Sequence, residues 1–204
     1  MKNKVGIAVL VSGGGTNLQA LIDAQNSGVI ISGRIVCVIS SKPGVYALER
    51  AEKAGIPHYA LDRKALGQQA FEAETARIIA NSGARLIVLA GFLSILSADF
   101  IKNFPGRIIN VHPALIPSFC GKGMYGLKVH EAALGYGVKV TGATVHYVNE
   151  IPDGGEIIMQ KAVKIQEGDT PEKLQKRVMK QAEWKILPAS AEKVCAEILK
   201  SEVK

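Results

Sequence analysis

The stretch VGIAVLVSGGGTN occupies residues 5–17 and joins an apolar run to a cluster of glycines. An uninterrupted apolar run that stops at glycine is typical of a strand buried on both faces. Residues 17–24 then show apolar side chains at helical spacing. In an open α/β sheet, a glycine turn between a strand and a helix presents backbone N–H groups to an anion. We therefore expect a strand, a phosphate-binding loop and a helix here, with an ordinary tight turn as the alternative.

The residues after the glycines restrict the identity of the phosphate compound. A dinucleotide-binding fingerprint requires a third glycine, where this chain has Leu18, and an acidic residue about twenty residues further on. The second apolar run instead ends at Ser40, Ser41 and Lys42. The pattern of an ATP-binding P-loop is missing from the sequence as well. A phosphorylated substrate therefore fits better than a nicotinamide cofactor or ATP.

The rest of the chain repeats the alternation of apolar runs and helical patterns. Such alternation predicts an α/β fold with a Rossmann-like, open, mostly parallel twisted sheet flanked by helices. We expect a single domain over residues 1–204, with a loop at 113–126 and a helical region starting at Thr170. The predicted strands are 5–11, 35–39, 86–90, 108–111, 140–148 and 157–163, and the other predicted helices are 17–24, 46–54, 71–81, 97–103 and 127–134.

Composition restricts the partners and the compartment. The net charge is +7, but no basic stripe with interleaved aromatic residues accompanies it, so we expect no nucleic-acid partner. No apolar run has membrane-spanning length, and the residues before Val5 lack the pattern of a signal peptide. Three widely spaced cysteines suggest neither a metal site nor a disulfide framework. A cytoplasmic protein that does not bind membranes is the simplest interpretation.

Two polar residues end the fourth predicted strand. Asn110 and His112 alternate along this strand and therefore lie on the same side of the chain. Pro113 keeps His112 extended. The carboxyl edge of a parallel sheet is where such folds bind ligands, so this pair is a candidate for catalysis. Asp153, in the sequence PDGG, reads on its own as an ordinary turn residue.

Four segments together resemble a known family. They are the glycine loop, LAGFLSIL at residues 89–96, NVHPALIPSF at 110–119, and GATVHYV with a later DGG between 142 and 155. In this order they are similar to the phosphoribosylglycinamide formyltransferases, the folate-dependent enzymes of purine biosynthesis within the formyltransferase superfamily. The resemblance covers nearly the whole chain.

The resemblance implies a reaction and three catalytic residues. The formyl group of 10-formyltetrahydrofolate would pass to the amine of glycinamide ribonucleotide, without a metal. Asn110 would donate a hydrogen bond to the developing oxyanion. His112 would transfer protons and assist at the oxyanion. Asp153 would raise the pKa of His112 and hold its protonated form.

The resemblance also implies two binding regions. Gly15, Thr16 and Asn17 would hold the substrate phosphate, and Glu183 would lie near its glycinamide end. The folate would contact Asn110 and the residues that line the pterin pocket: Leu93, Ser94, Ile95 and Leu96. A further wall would come from residues 149–153, and His146 would support the site without taking part directly.

Two departures and three alternatives stay open. Gln68 falls where better-known members have an arginine that contacts the folate, and the loop at 120–127 is longer and carries Lys122. A formyltetrahydrofolate hydrolase and a methionyl-tRNA formyltransferase share the superfamily, but each has an additional domain. A non-catalytic nucleotide-binding module would explain the glycine loop and leave Asn110 and His112 without a role. The protein could be a monomer or a homodimer.

Overall fold

The computed structural model describes residues 4–202 and contains one seven-stranded sheet in the order β3-β2-β1-β4-β5-β6-β7. The first five strands along the chain are parallel, whereas β6 and β7 run antiparallel to their neighbours. This confirms the predicted mostly parallel α/β sheet. The strands are β1 (Val5–Val11), β2 (Gly33–Ser40), β3 (His58–Ala60), β4 (Ala84–Leu89), β5 (Ile108–His112), β6 (Val140–Tyr147) and β7 (Ile157–Lys164).

Helices cover both faces of this sheet. Their first turns often begin at a capping side chain, as at Asp62, Ser97 and Thr170. The helices are α1 (Thr16–Asn26), α2 (Tyr46–Lys53), α3 (Arg63–Ser82), α4 (Ala98–Lys102), α5 (Leu127–Tyr136), α6 (Pro171–Val178) and α7 (Trp184–Ser201), with a π-helical turn (Met179–Glu183) between the last two.

The central strand β1 is buried along its whole length. Val9 and Val11 belong to the apolar cluster shared with α1 and α7. Ala8 and Leu10 belong to the cluster on the opposite face, which includes Phe71 of α3. A strand with apolar contacts on both faces has no need of polar alternation, which explains the uninterrupted run in the sequence.

Two elements differ from the sequence-based expectation. The short edge strand β3 was missed because its three residues are all exposed and carry no apolar pattern. Helix α3 begins at Arg63, eight residues before the predicted start, because Asp62 caps a first turn that is separated from the main helix by a kink at Gly67. The single domain was predicted over residues 1–204, and the absence of a signal-peptide pattern was read from the residues before Val5. Residues 1–3 and 203–204 of these predictions lie outside the described residues.

The order of the strands creates the site. Strands β2 and β4 lie on opposite sides of β1, so the chain leaves the carboxyl ends of β1 and β4 in opposite directions. A crevice forms at such a reversal. The Ser12 hydroxyl, at the end of β1, accepts a hydrogen bond from the Leu93 N–H at 3.0 Å and bonds the Ser41 hydroxyl at 2.7 Å. These bonds join the loops that follow β1, β2 and β4 at the carboxyl edge of the sheet.

Two further findings concern the composition-based expectations. Within residues 4–202, no helix is both long enough and apolar enough to cross a membrane. All three cysteines are free thiols, and Cys37 and Cys195 are buried as the apolar sequence around them predicted.

Candidate active site

A cavity of about 480 Å³ opens at the carboxyl edge of β1, β4 and β5. One end is apolar and formed by residues after β4 and the loop before β7; the other is polar and formed by α1, α5 and the π-helical turn. Every predicted site residue except Gly15 lines it. The predicted residues in its wall are Thr16, Asn17, Leu93, Ser94, Ile95, Leu96, Asn110, His112, Asp153 and Glu183.

The glycine loop begins α1 at the polar end of the cavity. Gly15 caps the helix in a left-handed conformation, with φ of +71°. A Cβ atom at this position would lie 2.7 Å from the Ala47 Cβ, so the loop packs against α2 more closely than any side chain allows. Arg50 donates a hydrogen bond to the Gly14 carbonyl at 2.9 Å, and this contact holds the loop from behind. Thr16 and Asn17, the first two residues of α1, line the cavity at this helix N-terminus, a position that favours anions.

The side chain of Asn17 is held by Glu183. Its Nδ2 donates a hydrogen bond to Glu183 Oε2 at 2.7 Å, and this bond connects α1 to the π-helical turn. Burial raises the pKa of the Glu183 carboxyl, and the Asn17 bond opposes that shift. The Oδ1 atom of Asn17 is buried and has no hydrogen-bond partner within residues 4–202. The pair thus leaves one acceptor for a ligand in the cavity.

Asn110 is oriented by a histidine on the neighbouring strand. Antiparallel pairing of β5 and β6 places His146 directly opposite Asn110. The Asn110 Nδ2 lies 3.2 Å from His146 Nε2, while His146 Nδ1 lies 2.8 Å from the Tyr147 carbonyl oxygen. Because a carbonyl only accepts, Nδ1 carries the hydrogen, and Nε2 of a neutral ring accepts from Asn110. One N–H of the Asn110 amide remains for another acceptor.

His112 lies between a carboxylate and a backbone carbonyl. Its Nδ1 is 3.5 Å from Asp153 Oδ2, and its Nε2 donates to the Phe119 carbonyl at 2.9 Å. Asp153 also accepts the Gly121 N–H at 2.9 Å, and its other oxygen lies 3.6 Å from His146 Nε2. Asp153 therefore joins the two histidines and the loop after β5.

The electrostatic effects on this cluster oppose one another. Burial lowers the pKa of His112 below its usual value of 6.5, although Asp153 and the Phe119 carbonyl act in the opposite direction. Burial would raise the pKa of Asp153, but the neighbouring His146, the hydrogen bond from the Gly121 N–H and the nearby His112 leave it below its usual value. Asp153 thus acts on the pKa of His112 in the expected upward direction, but desolvation of the ring exceeds this effect and the net shift is downward.

Phe119 and Gly121 make contacts that the sequence did not predict. Phe119 has a φ of +50°, an uncommon conformation for a bulky residue, and it directs its carbonyl oxygen toward His112. Asp153 also has a positive φ, of 57°, which aspartate tolerates better. Strained backbone of this kind occurs often at functional sites. Only the neighbouring glycines at 121 and 123 hinted at an unusual backbone here.

The segment from Leu93 to Leu96 forms the apolar end of the cavity. Leu93 and Ile95 are more than half exposed, at 56% and 64%, while Leu96 is buried. Gln68 supports this segment from behind by donating a hydrogen bond to the Ile95 carbonyl at 3.1 Å. Its Oε1 accepts from Arg63 at 2.9 Å. Gln68 therefore connects the Arg63 guanidinium to the segment from Leu93 to Leu96.

The described residues contain no group of three or more His, Cys, Asp or Glu side chains arranged to hold a metal ion. The loop predicted at 120–127 does line the cavity, and Lys122 is one of its lining residues.

Comparison with known proteins gives consistent neighbours. The formyl transferase family profile matches residues 5–190. A trifunctional purine biosynthetic protein adenosine-3 from Gallus gallus is 45% identical over 195 residues, which cover 95% of this chain and 19% of that protein. The chain thus spans about a fifth of the length of this relative. A phosphoribosylglycinamide formyltransferase from Haemophilus influenzae is 41% identical over 184 residues, with 89% and 83% covered.

Solved structures agree with these relatives. A glycinamide ribonucleotide transformylase 1 from Symbiobacterium toebii superposes with a TM-score of 0.89 at 39% identity, covering 97% of this chain and 90% of that one. The sheet and the cluster at its carboxyl edge thus define an α/β protein with the formyltransferase fold. The chain belongs to the formyl transferase family, as the match over residues 5–190 establishes. A folate-derived formyl donor is what this family implies.

Proposed function

We propose that this protein transfers the formyl group of 10-formyltetrahydrofolate to the amine of glycinamide ribonucleotide, a step of purine biosynthesis. The observation that carries the proposal is the meeting of Asn110, His112 and Asp153 in one cavity with the N-terminus of α1. An acyl-transfer site and an anion site within one cavity suit a phosphorylated amine substrate. The relatives that carry this activity in their names support the same choice.

The two ends of the cavity suit the two substrates. The N-terminus of α1, with Thr16 and Asn17, would bind the phosphate, and Glu183 would lie along the ribonucleotide. The apolar end from Leu93 to Leu96 would accept the flat pteridine ring, whose edges can bond to backbone groups there. The reacting atoms then meet near Asn110 and His112, where the two ends join.

The reaction would proceed through a tetrahedral intermediate. The amine nitrogen forms a bond to the formyl carbon, and the carbonyl electron pair moves to its oxygen. The Asn110 N–H and the His112 Nε2–H, once turned from the Phe119 carbonyl, would donate hydrogen bonds to this oxyanion. Each positioned donor is worth roughly 10²–10³-fold in rate at comparable sites.

Proton movement would involve His112 and Asp153 as a unit. The attacking nitrogen loses one proton to this pair, which rests with a neutral ring and an ionised carboxylate. The bond between the formyl carbon and the folate nitrogen then breaks, and the same proton goes to that nitrogen. The products are the formylated amine and tetrahydrofolate, and the protein ends in its starting state.

The decisive experiment compares folate turnover with and without the second substrate. The protein is incubated with 10-formyltetrahydrofolate alone and together with glycinamide ribonucleotide. We expect tetrahydrofolate and formylated ribonucleotide in equal amounts, and only when both substrates are present. His112→Ala should reduce the rate by orders of magnitude, while His58→Ala, on the exposed edge strand, should not. Turnover that does not need the ribonucleotide would identify a hydrolase instead.

Further parts of the proposal concern the setting of the enzyme. Its partners would be these two small molecules, with neither a nucleic acid nor a membrane among them. Three free thiols suit a reducing cytoplasm, where we expect the protein to work as a monomer or a homodimer.

A further inference from the structure

His130 is a buried histidine in the wall of the cavity that the proposed reaction leaves without a role. It lies in the first turns of α5 and has 0% of its surface exposed. Neither ring nitrogen has a hydrogen-bond partner among residues 4–202. Buried polar atoms without partners are rare in folded proteins, because they lose their hydration and gain no hydrogen bond in return. An imidazole left in this state beside a ligand cavity points to a partner that the ligand supplies.

The charge state of His130 determines which partner fits. Burial and, to a smaller extent, the nearby His112 lower its pKa to about 4. At neutral pH the ring therefore has one N–H donor and one nitrogen acceptor. A phosphate offers only acceptors and an ammonium group only donors, whereas a hydroxyl group offers both. A hydroxyl can therefore bond to His130 whichever ring nitrogen faces the cavity, whereas each charged group fits only one of the two nitrogens.

The position of His130 selects the same part of the ligand. Helix α5 packs against α6, and the segment from α6 through the π-helical turn brings Gln175, Met179 and Glu183 to the cavity. His130 thus belongs to the part of the wall that α5 forms beside α6 and the π-helical turn. In the proposed substrate the sugar ring connects the phosphate, near α1, to the amine, near His112. The sugar must therefore cross the region to which His130 belongs.

We propose that His130 binds a ring hydroxyl of the sugar in the ribonucleotide and makes the enzyme selective for a ribosyl over a deoxyribosyl substrate. This inference rests on the proposed function, because that function supplies the sugar. Since the ring has no exposed surface, binding includes a small shift of α5 or of the adjoining loop at 121–126, which also lines the cavity. The hydroxyl then bonds to the ring nitrogen that faces the cavity, as a donor or as an acceptor.

A binding experiment tests the inference without any turnover. The protein, labelled with ¹⁵N at histidine, is titrated with inorganic phosphate, ribose 5-phosphate, 2-deoxyribose 5-phosphate and 3-deoxyribose 5-phosphate. We expect the ring-nitrogen resonances of His130, assigned by comparison with His130→Leu, to shift with ribose 5-phosphate and not with phosphate alone. One of the two deoxy compounds should fail to produce the shift. Equal responses to all four compounds, or none to any, would overturn the inference.

A kinetic experiment measures the consequence for selectivity. The deoxy sugar phosphate that fails to shift the His130 resonances defines the deoxyribosyl substrate analogue to be compared. The wild-type protein should prefer the ribosyl substrate over this analogue by about tenfold or more in kcat/KM, mainly through KM. His130→Leu should bring this ratio close to one, His130→Gln should restore part of it, and His58→Leu serves as the matched control. Thermal unfolding shows that each variant is folded. A ratio unchanged in folded His130→Leu would make the histidine purely structural.

The two experiments separate this inference from the proposed function. If the wild-type protein forms no formylated ribonucleotide, the proposed function fails, and the sugar phosphate titration still decides the role of His130. If transfer occurs and selectivity does not depend on His130, only the inference fails.

Discussion

Asp153 Oδ2 lies 3.5 Å from Nδ1 of His112, yet the histidine has a pKa below its usual value. The carboxylate favours the charged ring, but His112 is only 4% exposed and loses more hydration than the carboxylate returns. The pair therefore rests as a neutral imidazole beside an ionised carboxylate. This state can take up the proton that the attacking amine must lose, whereas a ring already protonated cannot.

The first prediction concerns the pH dependence of the reaction. Because the pair must start without the extra proton, kcat/KM should fall as the pH drops through the pKa of His112. The midpoint of this acidic limb should lie below 6.5, the usual value for histidine. The ribonucleotide amine must also be unprotonated and adds its own acidic limb at about pH 8, so the NMR titration of the His112 ring in the free protein assigns the lower midpoint. A His112 midpoint above 6.5 would contradict the neutral resting state.

Asp153→Asn should lower the pKa of His112 further, because the substitution removes the charge that opposes burial. The same change deprives the forming imidazolium of its counter-ion, so kcat should fall by about 10²-fold or more. NMR titration of the His112 ring measures the pKa, and Asp99→Asn, at an exposed position on α4, is the control. An unchanged His112 pKa would mean that the two side chains are not coupled.

The sequence was sufficient to predict the sheet and most of the site because both depend on local patterns. Buried parallel strands appear as apolar runs, and Asn110 and His112 end such a run at the edge where ligands bind. Asp153 lacked a local signal, since a turn aspartate looks the same whether or not it faces a histidine 41 positions earlier. The sign of the His112 pKa shift could not be predicted either, because it depends on desolvation by surrounding residues distant in sequence.

The contacts of Phe119 illustrate a further limit. A carbonyl oxygen leaves no mark in the sequence, and its direction here comes from a left-handed backbone at a residue type that seldom adopts one. The pairing of Asn110 with His146 depends similarly on the antiparallel register of β5 and β6. Register between strands separated by a loop and a helix is set by packing of the whole sheet.

Two glycines of the phosphate loop should respond differently to alanine. Gly15→Ala places a Cβ 2.7 Å from that of Ala47 and forces alanine into a left-handed backbone conformation. The free energy of unfolding should therefore fall by about 1–2 kcal/mol or more. The KM for the ribonucleotide should rise with it. Gly14→Ala is the matched control, since its Cβ would meet nothing within 4 Å. Urea unfolding measures the stability of both variants, and steady-state kinetics measures their KM. Equal values for the two variants would mean that the close contact between Gly15 and Ala47 is not what requires glycine there.

The hydrogen bond between Asn110 and His146 should matter for kcat rather than for binding. His146→Leu removes the acceptor that orients the Asn110 amide, so the amide becomes a poorly aimed donor to the oxyanion. We expect kcat to fall by about tenfold to a hundredfold, less than or equal to the loss in Asn110→Ala. The double variant should lose little more than Asn110→Ala alone, because both changes affect one donor. Fully additive losses would indicate an independent role for His146.

The stability of the protein in acid should report on His130. In the unfolded chain its pKa is near 6.5, while in the folded protein it is about 4, so between these values the unfolded chain binds more protons. The free energy of unfolding therefore decreases as the pH falls from 6.5 toward 4, by about 3 kcal/mol at most for this residue. His130→Leu lacks this titration, so its stability should decrease less over the same window. Urea unfolding of both proteins at pH 7, 5.5 and 4.5 compares the slopes, with the other titrating groups common to both. Parallel decreases would mean that His130 takes up its proton without unfolding, and that its ring is not held in the neutral form by burial.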